Sequence, residues 1–169
     1  MKYHNITHDD MLNGDGIRIV LWLSGCEHHC KGCHNPMTWD SNDGKEVGAV
    51  EWEEIATELS KDYIAGITFS GGDPLHPNNR FYVKNMIDSI KHSFPTKTIW
   101  LYTGYTWEEI IANKELFNVI KDIDILVDGR FVEALENKKY HWAGSTNQRI
   151  IDVQKSKNMK GMVYCHVNN

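Results

Sequence analysis

Cysteine and proline are both scarce in this chain of 169 residues, four of each. No apolar segment approaches the ~20 residues that span a bilayer, and the opening MKYHNITHDD has neither the apolar core nor the small-residue cleavage site of a secretory leader. A disulfide-stapled secreted domain fits poorly, no membrane span is expected, and the chain is expected in the cytoplasm. Positive charge is also in deficit: 18 Lys and Arg against 23 Asp and Glu leave a formal charge of −5, with no bulk pull toward nucleic acid or an anionic membrane. The local basic stretch of Arg149, Lys155, Lys157 and Lys160 reads as a solvated end. No internal repeat, no low-complexity segment and no second CxxC or HxxxH pair is present. With 41% hydrophobic and 24% charged residues, the composition is that of an ordinary folded protein, and the length suits one domain, 1–169, with the tail 154–169 at its periphery.

What is present is concentrated. Three of the four cysteines, Cys26, Cys30 and Cys33, lie within the eight residues 26–33, directly after an apolar run. Three thiolates can hold three irons of a four-iron cluster, leaving the fourth iron open to a substrate. The competing reading is a structural zinc site of three cysteines and His34, or His28 or His29 in its place. Crowding disfavours it, because Cys33 and His34 are consecutive and would both have to turn onto one ion.

Residues 1–15 read as polar, ending in a turn at Asn13-Gly14-Asp15-Gly16. Residues 17–23 are nearly continuously apolar, as expected of a strand covered on both faces, and place the cysteines on the loop that follows it. Trp52, Ile55, Ala56 and Leu59 keep helical spacing, with Trp52 read as core. A strand at 67–69 runs into Ser70-Gly71-Gly72-Asp73-Pro74. Val83, Met86, Ile87 and Ile90 mark a second helix, capped by Asn78 or Asn79. A strand at 98–102 precedes a capping box of Thr106 and Glu109, and further strands are expected at 124–127 and 149–153. Strand-helix alternation implies parallel strands joined by right-handed crossovers. A closed eight-unit barrel needs about 250 residues, so the expected fold is α/β: a single-domain, open, partial β/α barrel with about five parallel strands. Too little chain remains to build a closing lid.

The spacing CxxxCxxC is that of radical S-adenosylmethionine (SAM) enzymes, and the segment GCEHHCKGCHNPMTW resembles the activating enzymes of anaerobic ribonucleotide reductase within that superfamily. The run 70–74 looks like their glycine motif, with Asp73 one carbon shorter than the usual glutamate. Segments 13–18, 34–36, 102–105, 127–131 and 145–150 are similar to those activases as well. The resemblance implies a [4Fe-4S] cluster on Cys26, Cys30 and Cys33, and SAM held by Ser70, Gly71, Gly72 and Asp73. Thr103, Asp128, Asn147 and Arg149 are strand-end candidates for SAM or the partner. It also implies a flavodoxin-like electron donor and the large subunit of anaerobic ribonucleoside-triphosphate reductase as partner. The implied reaction is reductive cleavage of SAM to a 5′-deoxyadenosyl radical, which takes hydrogen from a glycine Cα of the reductase. Another small radical SAM enzyme, such as a different glycyl-radical activase or one like 7-carboxy-7-deazaguanine synthase, and a non-catalytic iron-sulfur or zinc module are the alternatives.

Overall fold

The computed structural model describes residues 1–158 and 162–165. Seven strands form one open sheet: β1 (Lys2–Asp10), β2 (Ile17–Leu23), β3 (Lys45–Glu46), β4 (Ile64–Gly71), β5 (Thr98–Tyr102), β6 (Ile125–Asp128) and β7 (Arg149–Asp152), in the order β3-β1-β2-β4-β5-β6-β7. The helices are α1 (Ala49–Leu59), α2 (Arg80–Ser93), α3 (Trp107–Ala112), α4 (Lys114–Ile120) and α5 (Val153–Asn158).

β2, β4, β5 and β6 are mutually parallel. Four strands are thus parallel where about five were expected, because β7 returns antiparallel to β6. The connection between them carries only a single 3-10 turn at Glu133–Leu135, and no helix carries the chain back to its starting end. β1 is a second correction, since its residues were read as a polar lead-in. It pairs antiparallel with β2, and a register shift between Tyr3 and Asn5 breaks its alternation, so that Tyr3 and Ile6 both reach the core. That shift erases the period-two signal from a strand already polar along much of its length.

Alternation sorts the sheet into two faces. Ile19, Leu21 and Leu23 of β2, Ile67 and Phe69 of β4, Ile99 and Leu101 of β5 and Leu126 of β6 join Ile55, Leu59, Val83, Ile87, Ile90, Ile110 and Leu116 of the helices in one core. All four predicted apolar positions of α2 are buried, and Trp52 packs half-buried against this core. α5 starts at fully buried Val153; residues 159–161 and 166–169, with Lys160, lie outside the described residues. Within the basic stretch, Lys155 pairs with Asp152 at 3.0 Å and Arg149 with Asp128.

The other face carries Trp100, Val127 and Ile150, with Trp142 packed against them. On it lies Arg18, whose guanidinium is fully buried. All five N–H donors are used: Nε to Thr68 Oγ1 (3.0 Å), Nη1 to Asp15 O (2.7 Å) and Thr98 Oγ1 (2.9 Å), and Nη2 to Ile67 O and Thr98 O (both 3.0 Å). Burial lowers its pKa to about 10, which leaves it charged at neutral pH.

Candidate cluster and cofactor site

A cleft of about 720 Å³ opens on this second face, at the C-terminal ends of the parallel strands. Its wall includes Cys26, Cys30 and Cys33, with Ser70, Gly71, Gly72 and Thr103 beside them. The cysteine loop leaves β2 and is pinned where it returns: Gly25 N–H donates to Thr38 O (2.7 Å) and Cys26 N–H to Trp39 O (3.0 Å). Gly25 has φ +99°, a conformation that disfavours any side chain.

Two of the three sulfurs, those of Cys26 and Cys33, accept backbone N–H groups. Burial pushes the Cys26 thiol up to about 11, while the backbone N–H groups of His28 and His29 pull it back down. Asn35 N–H points at Cys33 Sγ at 3.4 Å. Such donors add little to a neutral thiol and much to a sulfur that ligates iron, so the donor set fits a cluster held by three cysteines. Among the described residues, no three His, Cys, Asp or Glu side chains converge to hold one metal ion. His34, the fourth ligand of the zinc reading, turns to the Phe131 ring and to Glu136. Cys165 is absent from the cleft wall and packs near Trp100 and Ile150.

The glycine turn is stitched to the base of the cysteine loop by two backbone bonds. Gly72 N–H donates to Leu23 O and Asp73 N–H to Gly25 O, both at 2.7 Å. A Cβ on Gly71 would stand 2.5 Å from Leu23 N, and one on Gly72 2.5 Å from Gly25 O, so both positions require glycine. Asp73 is buried behind the turn and absent from the cleft wall. Its carboxylate accepts Leu75 N–H (2.8 Å), Thr103 Oγ1 (2.9 Å to Oδ2), Gly104 N–H (3.1 Å) and His28 Nε2 (2.7 Å).

Asp128, Asn147 and Arg149, predicted with these, stand apart from the cleft wall. Asp128 follows Val127, which faces the second side, and therefore points to the helix side, where it accepts Trp107 N–H at 2.6 Å and pairs with Arg149 at 2.5 Å. Arg149 also grips Glu108 (2.7 Å), whose pKa falls to about 2. Asn147 Nδ2 donates to Arg130 O. Conversely, the strap of residues 131–148 was not foreseen, although many of its residues line the cleft. Tyr102 OH donates to Trp142 O (2.8 Å) and the Trp142 ring meets Trp100 edge-on at 5.0 Å, fixing the strap to β5. The strap thus supplies one wall of the cleft.

A family model described as a 4Fe-4S single cluster domain matches residues 12–151. The anaerobic ribonucleoside-triphosphate reductase-activating protein of Enterobacteria phage T4 is 43% identical over 150 residues, covering 89% of this chain and 93% of that protein. The chain belongs to the family of anaerobic ribonucleoside-triphosphate reductase-activating proteins. Members from Escherichia coli K12 and Vibrio cholerae O1 are 39% and 38% identical, over 88% and 89% of this chain and 96% and 97% of their own lengths. It is the family read from the cysteine loop and the glycine turn, and the matched range includes every motif that suggested it.

Proposed function

We propose that this chain is a radical SAM activase that generates the glycyl radical of anaerobic ribonucleoside-triphosphate reductase. One observation carries the reading: the three clustered cysteines line the same cleft as a glycine turn whose backbone is bonded to their loop. When bound, the reduced cluster supplies the electron that cleaves SAM, which begins hydrogen abstraction from the reductase glycine. Cys26, Cys30 and Cys33 hold the cluster. Gly71 and Gly72, held close to the cysteine loop because they lack Cβ atoms, present their backbone at the cleft wall to the methionine end of SAM, with Ser70 beside them. Thr103 lines the cleft and braces Asp73 by its hydroxyl. Asp73, Asp128, Asn147 and Arg149 serve by fixing the loops around the cofactors, since their side-chain bonds run within the protein. The parallel strands, with helices on one face and the cleft on the other, support a partial β/α barrel formed by one domain, 1–169. A flavodoxin-like protein is the electron donor, and the cytoplasm, where thiols stay reduced, is the compartment. No helix of the described residues is long and apolar enough to cross a membrane.

The test begins with protein purified without oxygen, loaded with iron and sulfide, and reduced. Its electron paramagnetic resonance spectrum should show a four-iron signal that changes on adding SAM, and Cys30→Ala should abolish it. Adding the reductase should then give a glycyl-radical doublet with consumption of SAM. A cluster indifferent to SAM, or SAM cleavage with no radical on the reductase, overturns the reading.

A further inference from the structure

His28 lies between two of the cysteines and lines the cleft with them, yet its side chain is only 7% exposed and its ring is engaged by neighbours within the protein. Its Nε2 reaches Asp73 Oδ2 at 2.7 Å, and that carboxylate is 2% exposed. The ring stands edge-on to Tyr105, centroids 4.7 Å apart and planes at 79°. Gly104 supplies the room: a Cβ there would fall 2.2 Å from His28 Cδ2. No left-handed φ is involved at Gly104, so it is the histidine, and not the backbone, that demands glycine at this position.

The two ends of the cysteine loop are pinned to each other, Gly25 to Thr38 and Cys26 to Trp39. Between those pins, His29 packs on Trp39 of the same loop and Lys31 reaches Glu133 from an exposed position. His28 gives the loop interior its buried polar tie to the neighbouring strand ends. The tie gathers three segments on one carboxylate: the loop after β2 through His28, the turn after β4 through Asp73 itself, and the segment after β5 through Thr103 and Gly104. The short side chain of Asp73 suits this task, because Oδ1 also accepts its own Leu75 N–H and holds the group behind the turn.

We propose that His28 is a positioning residue: by its bond to Asp73 it sets the distance between the cysteine sulfurs and the backbone of Gly71 and Gly72, and so the fit of SAM across them. This rests on the proposed function, in which those two segments hold the cluster and SAM. A buried hydrogen bond to a carboxylate is among the stronger ones in a protein, and its loss leaves the acceptor short of a partner. The loop remains pinned at both ends, so the cluster should still assemble.

Three substitutions test it on cluster-loaded protein. His28→Phe keeps the ring against Gly104 and Tyr105 but removes the donor; Gly104→Ala keeps the donor but displaces the ring; His28→Gln restores an N–H of similar reach. The readouts are iron and sulfide content, the dissociation constant for SAM, and the paramagnetic resonance spectrum with and without SAM. H28F and G104A should hold wild-type iron and give an unchanged signal alone, with SAM bound about 10-fold to 100-fold more weakly and its spectral effect diminished. H28Q should lie within about threefold of wild type. The proposal is overturned if H28F binds SAM as wild type does, if H28Q is no better than H28F, or if all three variants lose iron, which would make His28 a requirement for the loop itself. A spectrum of the unsubstituted protein that ignores SAM instead removes the proposed function, and that result is read without any variant.

Discussion

A methyl group at Gly72 would stand 2.5 Å from the carbonyl oxygen of Gly25, and the neighbour is backbone, which cannot swing aside as a side chain would. Gly72→Ala should therefore force the glycine turn off the cysteine loop, lower stability by about 1–3 kcal/mol in urea unfolding, and weaken SAM binding. Wild-type values for both would mean that the two segments are not held so tightly. These positions were legible in the sequence because cysteine spacing and a double glycine are local patterns with few physical explanations. Asp128 and Arg149 stand at strand ends just as plausibly, but the period of two places Asp128 with Leu126 on the helix side, where it pairs with Arg149. Counting alternation from Val127 would have separated them from the cleft. His28 was within sight as a metal ligand, yet its bond to Asp73 spans 45 residues, and spacing carries no signal for such a contact.

At the scale of elements, α3 is the segment whose sequence and structure agree most closely. Thr106 Oγ1 accepts Glu109 N–H at 3.3 Å and Glu109 accepts Thr106 N–H at 2.7 Å, as the capping box requires. Thr106→Ala should cost about 1 kcal/mol, measured as a lower urea midpoint at unchanged slope. In the first turn of the same helix, the Glu108 carboxylate bound to Arg149 has its pKa depressed from 4.5 to about 2. A depressed carboxylate contributes stability above its unfolded pKa and loses it as the folded pKa is approached. The melting temperature of wild type should thus exceed that of Glu108→Gln above pH 5, and the gap should close between about pH 4.5 and pH 2. Glu108 is 59% exposed, so solvent screening holds the contribution to about 1 kcal/mol. A gap constant across that range would show the pair to be inert. The helices and central strands were legible because their apolar periodicity is a burial signal. β1 and the direction of β7 were not, since the first is largely polar with a broken alternation and the second depends on where a helix-free connection leads the chain.

For the whole molecule, one sheet serves two purposes. Its helix-covered face supplies the main hydrophobic core, and its other face is largely given over to the cleft and the strap. Length alone suggested that no lid is built; it gave no account of the Trp142 contacts that hold residues 131–148 against this face as part of the cleft wall. Arg18 belongs to the second face, and Arg18→Lys, with three donors in place of five, should lower stability by about 2–4 kcal/mol in urea unfolding. An unchanged midpoint would mean that the carbonyls it serves find other donors. The five acceptors come from a loop and two strands, β4 and β5, neither of which is the strand that bears the arginine. An apolar sheet tolerates sliding by two residues, since each slip by two still presents hydrophobic side chains to the helices. A guanidinium does not, because any slip of β4 or β5 against β2 strands a desolvated charge without its partners. Arg18 therefore acts as a check on strand alignment, penalising sheets that slip, and the cysteine loop and the glycine turn depend on that alignment at the opposite ends of the same strands.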